Sequence, residues 1–231
     1  MLKELIDKFY LDQQKRKEQT RFYITDAGKC GRAVFFKFKN APREKMEPRI
    51  LRLYERGEYL HRNIISILIR MGILVASEVN IPAQEMISGR ADAIVSLNNE
   101  LYLLDIKSMN SMIFRNLNEP KEENAYQLQL YLHYFNMKKG ILLYVDKDKQ
   151  DIKEFVINYD KNLVQSLLKG FTDLKQKVDS NVIPDRLFDY LQSWQCQYCQ
   201  FREVCSLVGP GEINWANFKT KIEEKSKTSD I

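Results

Sequence analysis

The chain has 231 residues, enough for one domain with a sizeable core, or one domain plus a small appendage. A hydrophobic fraction of 44% and a charged fraction of 29% fit a soluble globular protein and exclude a disordered or fibrous one. A net charge of +5 permits a polyanionic partner without demanding it; no apolar run approaches the length of a membrane span, and MLKELIDKFYLDQQKRKEQ lacks the apolar core of a secretory signal. These features predict an intracellular protein with no membrane partner, in which four cysteines serve as metal ligands or reactive thiols more readily than as disulfides.

Residues 2–19 read as a helix, with Leu2, Leu5, Ile6, Phe9 and Tyr10 at helical spacing and a basic end at Lys15, Arg16 and Lys17. That basic end reads as a solvated helix terminus, with a phosphate contact as the alternative. In YITDAGKCGRAVFFKFKNAP, Thr25 or Asp26 can cap a helix over about 27–39, with Cys30 near its beginning and Val34, Phe35 and Phe38 as core residues. Residues 49–71 form a long helix with a wide apolar stripe. Inside it, Gly57 precedes His61 by one helical turn; a mid-helix glycine costs about 1 kcal/mol against alanine, so something is expected to pack closely there. His61 taken alone is a partly buried polar residue.

Residues 73–80 are a strand, followed by SGRADAIVSLNNELYLLDIK. This stretch reads as a hairpin, Arg90–Leu97 and Leu101–Lys107, because Asn98 and Asn99 tolerate the positive φ angles of a two-residue turn. With the turn centred there, Leu97 faces Glu100, and counting back along both strands brings Asp92 opposite Asp105. Directly opposed side chains have Cβ atoms roughly 4.5–5.5 Å apart, and two carboxylates so placed repel unless something compensates them. A shared divalent cation would do so. Lys107 points to the same face as Asp105. If the two acids lie on opposite faces of the sheet, this site does not exist.

After Lys107 the chain is a loop or short helix, then a helix over about 121–137. Gln127 and Tyr131 share one face of it, Leu128, Leu132 and Phe135 form its buried stripe, and Gln129 lies elsewhere; taken alone, Gln127 and Tyr131 read as the polar edge of an amphipathic helix. Strands over 140–146 and 152–157 and a helix over 160–178 follow. After Asn214 the chain reads as a charged helix or frayed end. Three cysteines then stand as Cys196-x2-Cys199-x5-Cys205, with Cys30 far upstream. Short spacings let several thiolates reach one centre; an iron–sulfur cluster, a structural zinc and free thiols are all open, and the three-plus-one pattern favours the cluster. Its physical role would be a clasp between the two ends of the chain.

Taken together, GEYLH, GRAD, DIK and QLQLY, flanked by one early cysteine and three late ones, resemble the RecB-like branch of the PD-(D/E)XK nucleases. The resemblance is greatest to its iron–sulfur exonucleases, which include the CRISPR-associated protein four family, and covers roughly residues 24–208. It implies an α/β fold of restriction-endonuclease type, with a mixed central β-sheet flanked by helices in a single domain. The nuclease core would span about 49–180, and an iron–sulfur subdomain would form from about 22–42 and 181–210. It implies that His61, Asp92, Asp105 and the backbone carbonyl of Ile106 hold Mn²⁺ or Mg²⁺, that Lys107 orients or helps deprotonate the attacking water, and that Gln127 and Tyr131 position the scissile strand or the lysine. Cys30, Cys196, Cys199 and Cys205 would hold a 4Fe–4S cluster. Glu78 is a further candidate for a metal contact. The family often follows the first cysteine with proline and arginine; this chain has Gly31 and Arg32.

The implied activity is a metal-dependent DNA exonuclease acting on single-stranded DNA or DNA ends, with CRISPR adaptation or recombination proteins as partners. The competing function is a non-catalytic iron–sulfur module that binds DNA or a partner on the nuclease fold; a zinc-stapled structural protein is a third. No GxxxxGK(S/T) motif is present, so no ATPase motor is encoded in this sequence.

Overall fold

The computed structural model describes residues 1–14, 18–82, 84–207 and 213–220. In chain order the first elements are α1 (Leu2–Asp12), β1 (Phe22–Tyr23), a 3-10 turn (Ile24–Asp26), α2 (Gly31–Phe38) and α3 (Pro48–Arg70). Next come β2 (Leu74–Asn80), β3 (Ile87–Ser88), β4 (Arg90–Leu97), β5 (Glu100–Met109), α4 (Ser111–Arg115) and α5 (Glu122–Tyr134). The chain continues through β6 (Lys139–Asp146), β7 (Ile152–Asn158), α6 (Lys161–Asp179), β8 (Val182–Ile183), α7 (Trp194–Gln197), α8 (Arg202–Leu207) and β9 (Ile213–Asn214). Residues 215–220 are helical. Among the described residues no helix is long and apolar enough to cross a membrane.

The chain divides into two compact units. One comprises residues 21–28 and 49–167. It is built on a five-stranded mixed sheet in the order β2-β4-β5-β6-β7, with β5 and β6 parallel and the other neighbours antiparallel. A parallel pair needs a crossover, and α4 and α5 supply it. The β4–β5 turn has Asn98 and Asn99 at φ 50° and 64°, both left-handed as a two-residue hairpin requires. Its ladder runs from Leu97 opposite Glu100 to Ala93 opposite Leu104, so the next step back reaches Asp92 and Asp105. On one face of this sheet Ala93, Val95, Leu104, Ile106, Ile141 and Val145 pack with Ile64 and the half-buried Leu60, Ile65 and Leu68 of α3.

The other unit comprises residues 1–20, 29–48 and 168–231. Its core gathers Phe35 and Phe36 of α2 with Val178, Ile183, Phe201, Val204, Trp215 and Phe218. The rings meet edge-on or tilted, with Phe35–Trp215 at 6.0 Å and Phe36–Phe201 at 5.7 Å.

Four sequence expectations need correction. Helix α1 ends at Asp12 rather than running on to residue 19, and it buries none of its residues, so the apolar spacing of Leu2, Leu5 and Phe9 marks an exposed stripe; the basic end at 15–17 lies outside the described residues. Helix α2 starts at Gly31 rather than near Ala27, because the Tyr23 amide donates to the Asp26 carboxylate (2.9 Å) and closes a separate 3-10 turn. Gly28 then leaves that turn at φ 72°, where an added Cβ would also stand 3.1 Å from the Tyr126 ring. Helix α5 is not amphipathic: Asn124, Gln127, Gln129 and Tyr131 are buried with Leu128, Leu130 and Leu132. Gln129 is satisfied within the fold, its amide donating to the Asn158 carbonyl (2.7 Å) and its oxygen accepting from the Asp160 amide (2.8 Å). Finally, the segment after Asn214 is anchored by the buried Trp215 and Phe218 rather than frayed; residues 221–231 lie outside the described residues.

Candidate active site and cysteine pocket

The hairpin register brings the Asp92 and Asp105 carboxyl groups close enough that the charge of Asp105 raises the Asp92 pKa. Each has one further partner on β5. The Ile106 amide donates to Asp92 Oδ2 (2.7 Å), and Lys107 Nζ donates to Asp105 Oδ1 (2.8 Å). His61 reaches the same pair from α3, with Nε2 3.6 Å from Asp92 Oδ1. Gly57, one turn earlier, faces Ser108 of β5, whose hydroxyl would lie 3.4 Å from an added Cβ, so the helix runs close to the strand there.

The electrostatics are those of a crowded, partly dry site. Burial, and then the charge of Asp105, push the Asp92 carboxyl up to about 7. Burial pulls Lys107 down, but Asp105 and Asp92 outweigh it, so Lys107 is held above its ordinary value and is an ammonium at neutral pH. Burial lowers His61, against the opposing pull of Glu78 and Asp105. Within this site, two buried side-chain atoms of the described residues have no hydrogen-bond partner: His61 Nε2 and Asp105 Oδ2. Buried polar atoms are normally satisfied, so these two ask for a ligand.

Tyr131 and Gln127 are both buried on α5. The Tyr131 hydroxyl donates to the Arg90 carbonyl (2.8 Å), which fixes the entry of β4 two residues before Asp92. Tyr144, directly across the parallel ladder from Lys107, is fully buried and accepts from the Lys121 amide and the Asn124 side chain. The sequence offers it only as one apolar-looking strand residue. Glu78 lies on β2 with Oε1 3.7 Å from His61 Nδ1 and Oε2 2.5 Å from Arg90 Nη1.

The four cysteines share one pocket in the other unit, with Arg32, Arg186, Tyr190 and Gln195. None is in a disulfide. Cys30 is the residue that caps α2, and its amide donates to Gln195 Oε1 (2.7 Å). Arg32, only 1% exposed, donates through Nε to the Pro184 carbonyl (2.7 Å) and points Nη1 at Cys205 Sγ (3.8 Å). The Phe201 amide donates to Cys199 Sγ (3.4 Å). Burial pushes the Cys30 and Cys199 thiols up, and the neighbouring cysteines push them further. Among the described residues, no three His, Cys, Asp or Glu side chains stand in an arrangement that holds an ion as it is.

A mixed sheet of this order, with two acids and a lysine meeting at the start of one hairpin, defines a nuclease-type α/β fold. A family model described as the PD-(D/E)XK nuclease superfamily matches residues 5–206, and the chain belongs to that superfamily. It is 28% identical over 202 residues to the CRISPR-associated exonuclease Cas4 of Saccharolobus solfataricus, covering 82% of this chain and 89% of the relative. Among solved structures, SSO0001 superposes with a TM-score of 0.56 at 25% identity, over 89% of this chain and 96% of that one. The alkaline exonuclease LHK-Exo of Laribacter hongkongensis shares the fold, with a TM-score of 0.50 at 15% identity over 76% and 92% of the two chains.

Proposed function

We propose that the chain is a metal-dependent DNA exonuclease that hydrolyses phosphodiester bonds in single-stranded DNA or at DNA ends. One observation carries the reading: Asp92, Asp105 and His61 converge at the start of the hairpin with His61 Nε2 and Asp105 Oδ2 buried and unpartnered, beside a protonated Lys107. That donor set fits a hard divalent cation, Mg²⁺ or Mn²⁺, and the imidazole favours Mn²⁺. His61, Asp92, Asp105 and the Ile106 carbonyl would hold it. When bound, the cation supplies Lewis acidity and charge neutralisation at phosphorus.

The rest is the work of the chain's own groups. Lys107 presents an ammonium where negative charge grows on the phosphoryl oxygens. Because it is protonated and paired with Asp105, it acts as a charge donor in the ligand-free chain rather than as a proton acceptor. Tyr131 holds the β4 entry through Arg90, and Gln127 belongs to the same buried helix face as a positioning residue.

The cysteine pocket is proposed to hold a 4Fe–4S cluster on Cys30, Cys196, Cys199 and Cys205, clasping residues of about 22–42 to those of about 181–210 outside a nuclease core of about 49–180. Buried thiols that raise one another's pKa become good ligands once a positive centre stabilises their thiolates. The similarity to a CRISPR-associated exonuclease supports a CRISPR setting, in which this chain would trim precursors of new spacers; recombination is the other setting, and partner proteins of either process would supply any motor.

Anaerobic purification followed by an Mn²⁺-dependent assay on 5′- and 3′-labelled single-stranded DNA tests the reading. Cleavage by the wild type and none by Lys107→Ala is the expected result. Wild-type protein that binds DNA but cleaves no end structure with Mn²⁺ or Mg²⁺ would replace it with the non-catalytic module. A colourless preparation with stoichiometric zinc would remove the cluster.

A further inference from the structure

Glu78 has a backbone that a glutamate seldom adopts. It sits inside β2 at φ 55°, beyond a register shift between Leu74 and Ala76. The flanking pairs are Ser77–Ala93 and Val79–Ala91, so Glu78 stands across from Asp92, which in turn meets Asp105. A regular strand would offer a third carboxylate to an already repulsive pair. The left-handed backbone instead goes with a side chain whose two oxygens meet other partners. Oε2 pairs with Arg90 Nη1 at 2.5 Å, and Oε1 stands 3.7 Å from His61 Nδ1. The opposite ring nitrogen of His61, Nε2, is the one beside Asp92 and without a hydrogen-bond partner.

This geometry sets a choice of tautomer. A neutral imidazole carries one proton. With a carboxylate only at Nε2, the proton would settle there, facing Asp92, and the nitrogen could not act as a ligand. A second carboxylate at Nδ1 draws the proton to the far side and frees the Nε2 lone pair. We propose that Glu78 is the positioning residue for His61: its Oε1, 3.7 Å from Nδ1 and so just outside hydrogen-bond range in this structure, closes on the ring to accept the Nδ1–H, fixes the tautomer with Nε2 open toward Asp92 and Asp105, and is itself pinned by Arg90. This rests on the reading of His61 as a metal ligand, and it makes Glu78 a support for that ligand rather than a ligand itself. Partners of this kind tune affinity by 10–100-fold in metal sites generally.

The test uses the full-length, anaerobically purified protein without divalent metal. Long-range ¹H–¹⁵N correlation at pH 8.5 reads the tautomer of His61, and a His133→Gln variant assigns the only other histidine. The expected result is Nδ1–H in the wild type and in Glu78→Gln, whose amide oxygen still accepts, and a swing to Nε2–H in Glu78→Ala. Mn²⁺ titration calorimetry should then show affinity falling about 10–100-fold in Glu78→Ala and less in Glu78→Gln. An Nε2–H wild type, or a tautomer untouched by Glu78→Ala, overturns the proposal. Equal losses above about 1,000-fold in both variants make Glu78 a ligand and also overturn it. A tautomer that swings while Mn²⁺ affinity stays unchanged removes His61 from the metal site, a failure of the underlying reading that the tautomer data separate from the first two.

Discussion

Replacing Asp92 by asparagine should stabilise the metal-free protein while crippling it as a metal binder. The Asp92 carboxyl is pushed from an ordinary 3.8 up to about 7 by burial and by Asp105. One pK unit is worth about 1.4 kcal/mol, so ionising Asp92 inside the fold costs up to about 4 kcal/mol. The folded pKa is the raised one. Between about pH 4 and pH 7 the folded chain therefore keeps a proton that the unfolded chain has lost, and stability falls as pH rises through that window, then levels off. Asparagine removes the charge and keeps an oxygen to accept from the Ile106 amide. In EDTA at pH 8 the variant should gain up to about 4 kcal/mol, shrinking to about 1 kcal/mol near pH 4.5. Both tryptophans lie in the other unit, so hydrogen exchange of β4 and β5 peptides during urea unfolding is the suitable readout. Adding Mn²⁺ should narrow the difference, since a ligand at about 100 times its Kd adds about 2.7 kcal/mol to the form that binds it, and should reverse the order only beyond about 1,000 times the Kd, where that gain passes about 4 kcal/mol. A variant no more stable than wild type at pH 8, or one whose gain does not vary with pH, would refute the account of the acid pair.

Three further outcomes follow from the same geometry. Asp105→Ala and Lys107→Ala should each cut DNA cleavage by at least about 10²–10³-fold while gel-shift affinity for single-stranded DNA changes only a few-fold. Gly140→Ala places a Cβ 2.9 Å from the Leu103 carbonyl and 2.8 Å from Leu128 Cδ1, at the parallel β5–β6 contact where backbone cannot yield; urea midpoints should report a loss of about 1–3 kcal/mol. If the cysteine pocket holds the proposed cluster, Arg32→Met removes a buried cation aimed at Cys205, so that cluster should become harder to reduce, with its potential shifting downward in an EPR-monitored titration; an unchanged potential would confine Arg32 to holding the Pro184 carbonyl.

The hairpin was legible because its information is local. Two asparagines set the turn, the turn sets the register, and the register pairs the acids thirteen residues apart on one side of the sheet. Helix α5 was misread for an equally physical reason. Polar residues on a helix read as a wet face, yet α5 packs against β5, β6, β7 and the 24–26 turn at once, and Gln129 finds its partners at the end of β7 instead of in water. The two-residue β1–β3 pair carries no periodicity, and its register, Phe22 with Ile87, joins distant segments that no pattern links. The facing of Glu78 depends on one left-handed φ in the middle of a strand, which propensity argues against. Trp215 and Phe218 stand in a charged tail, where composition hides two anchors of the aromatic core.

The discontinuity of the cysteine-bearing unit also sets a timetable for synthesis. Residues 49–167 emerge as one uninterrupted run, so the sheet with its acid pair can form while the chain is still being made. Cys30 cannot do likewise, because Gln195, which receives its amide, is translated 165 residues later. At roughly 5–20 residues per second that is a wait of about 10–30 s. For that interval Phe35 and Phe36 lack the Phe201, Val204, Trp215 and Phe218 that later cover them, and Cys30 lacks the three cysteines that later share its pocket.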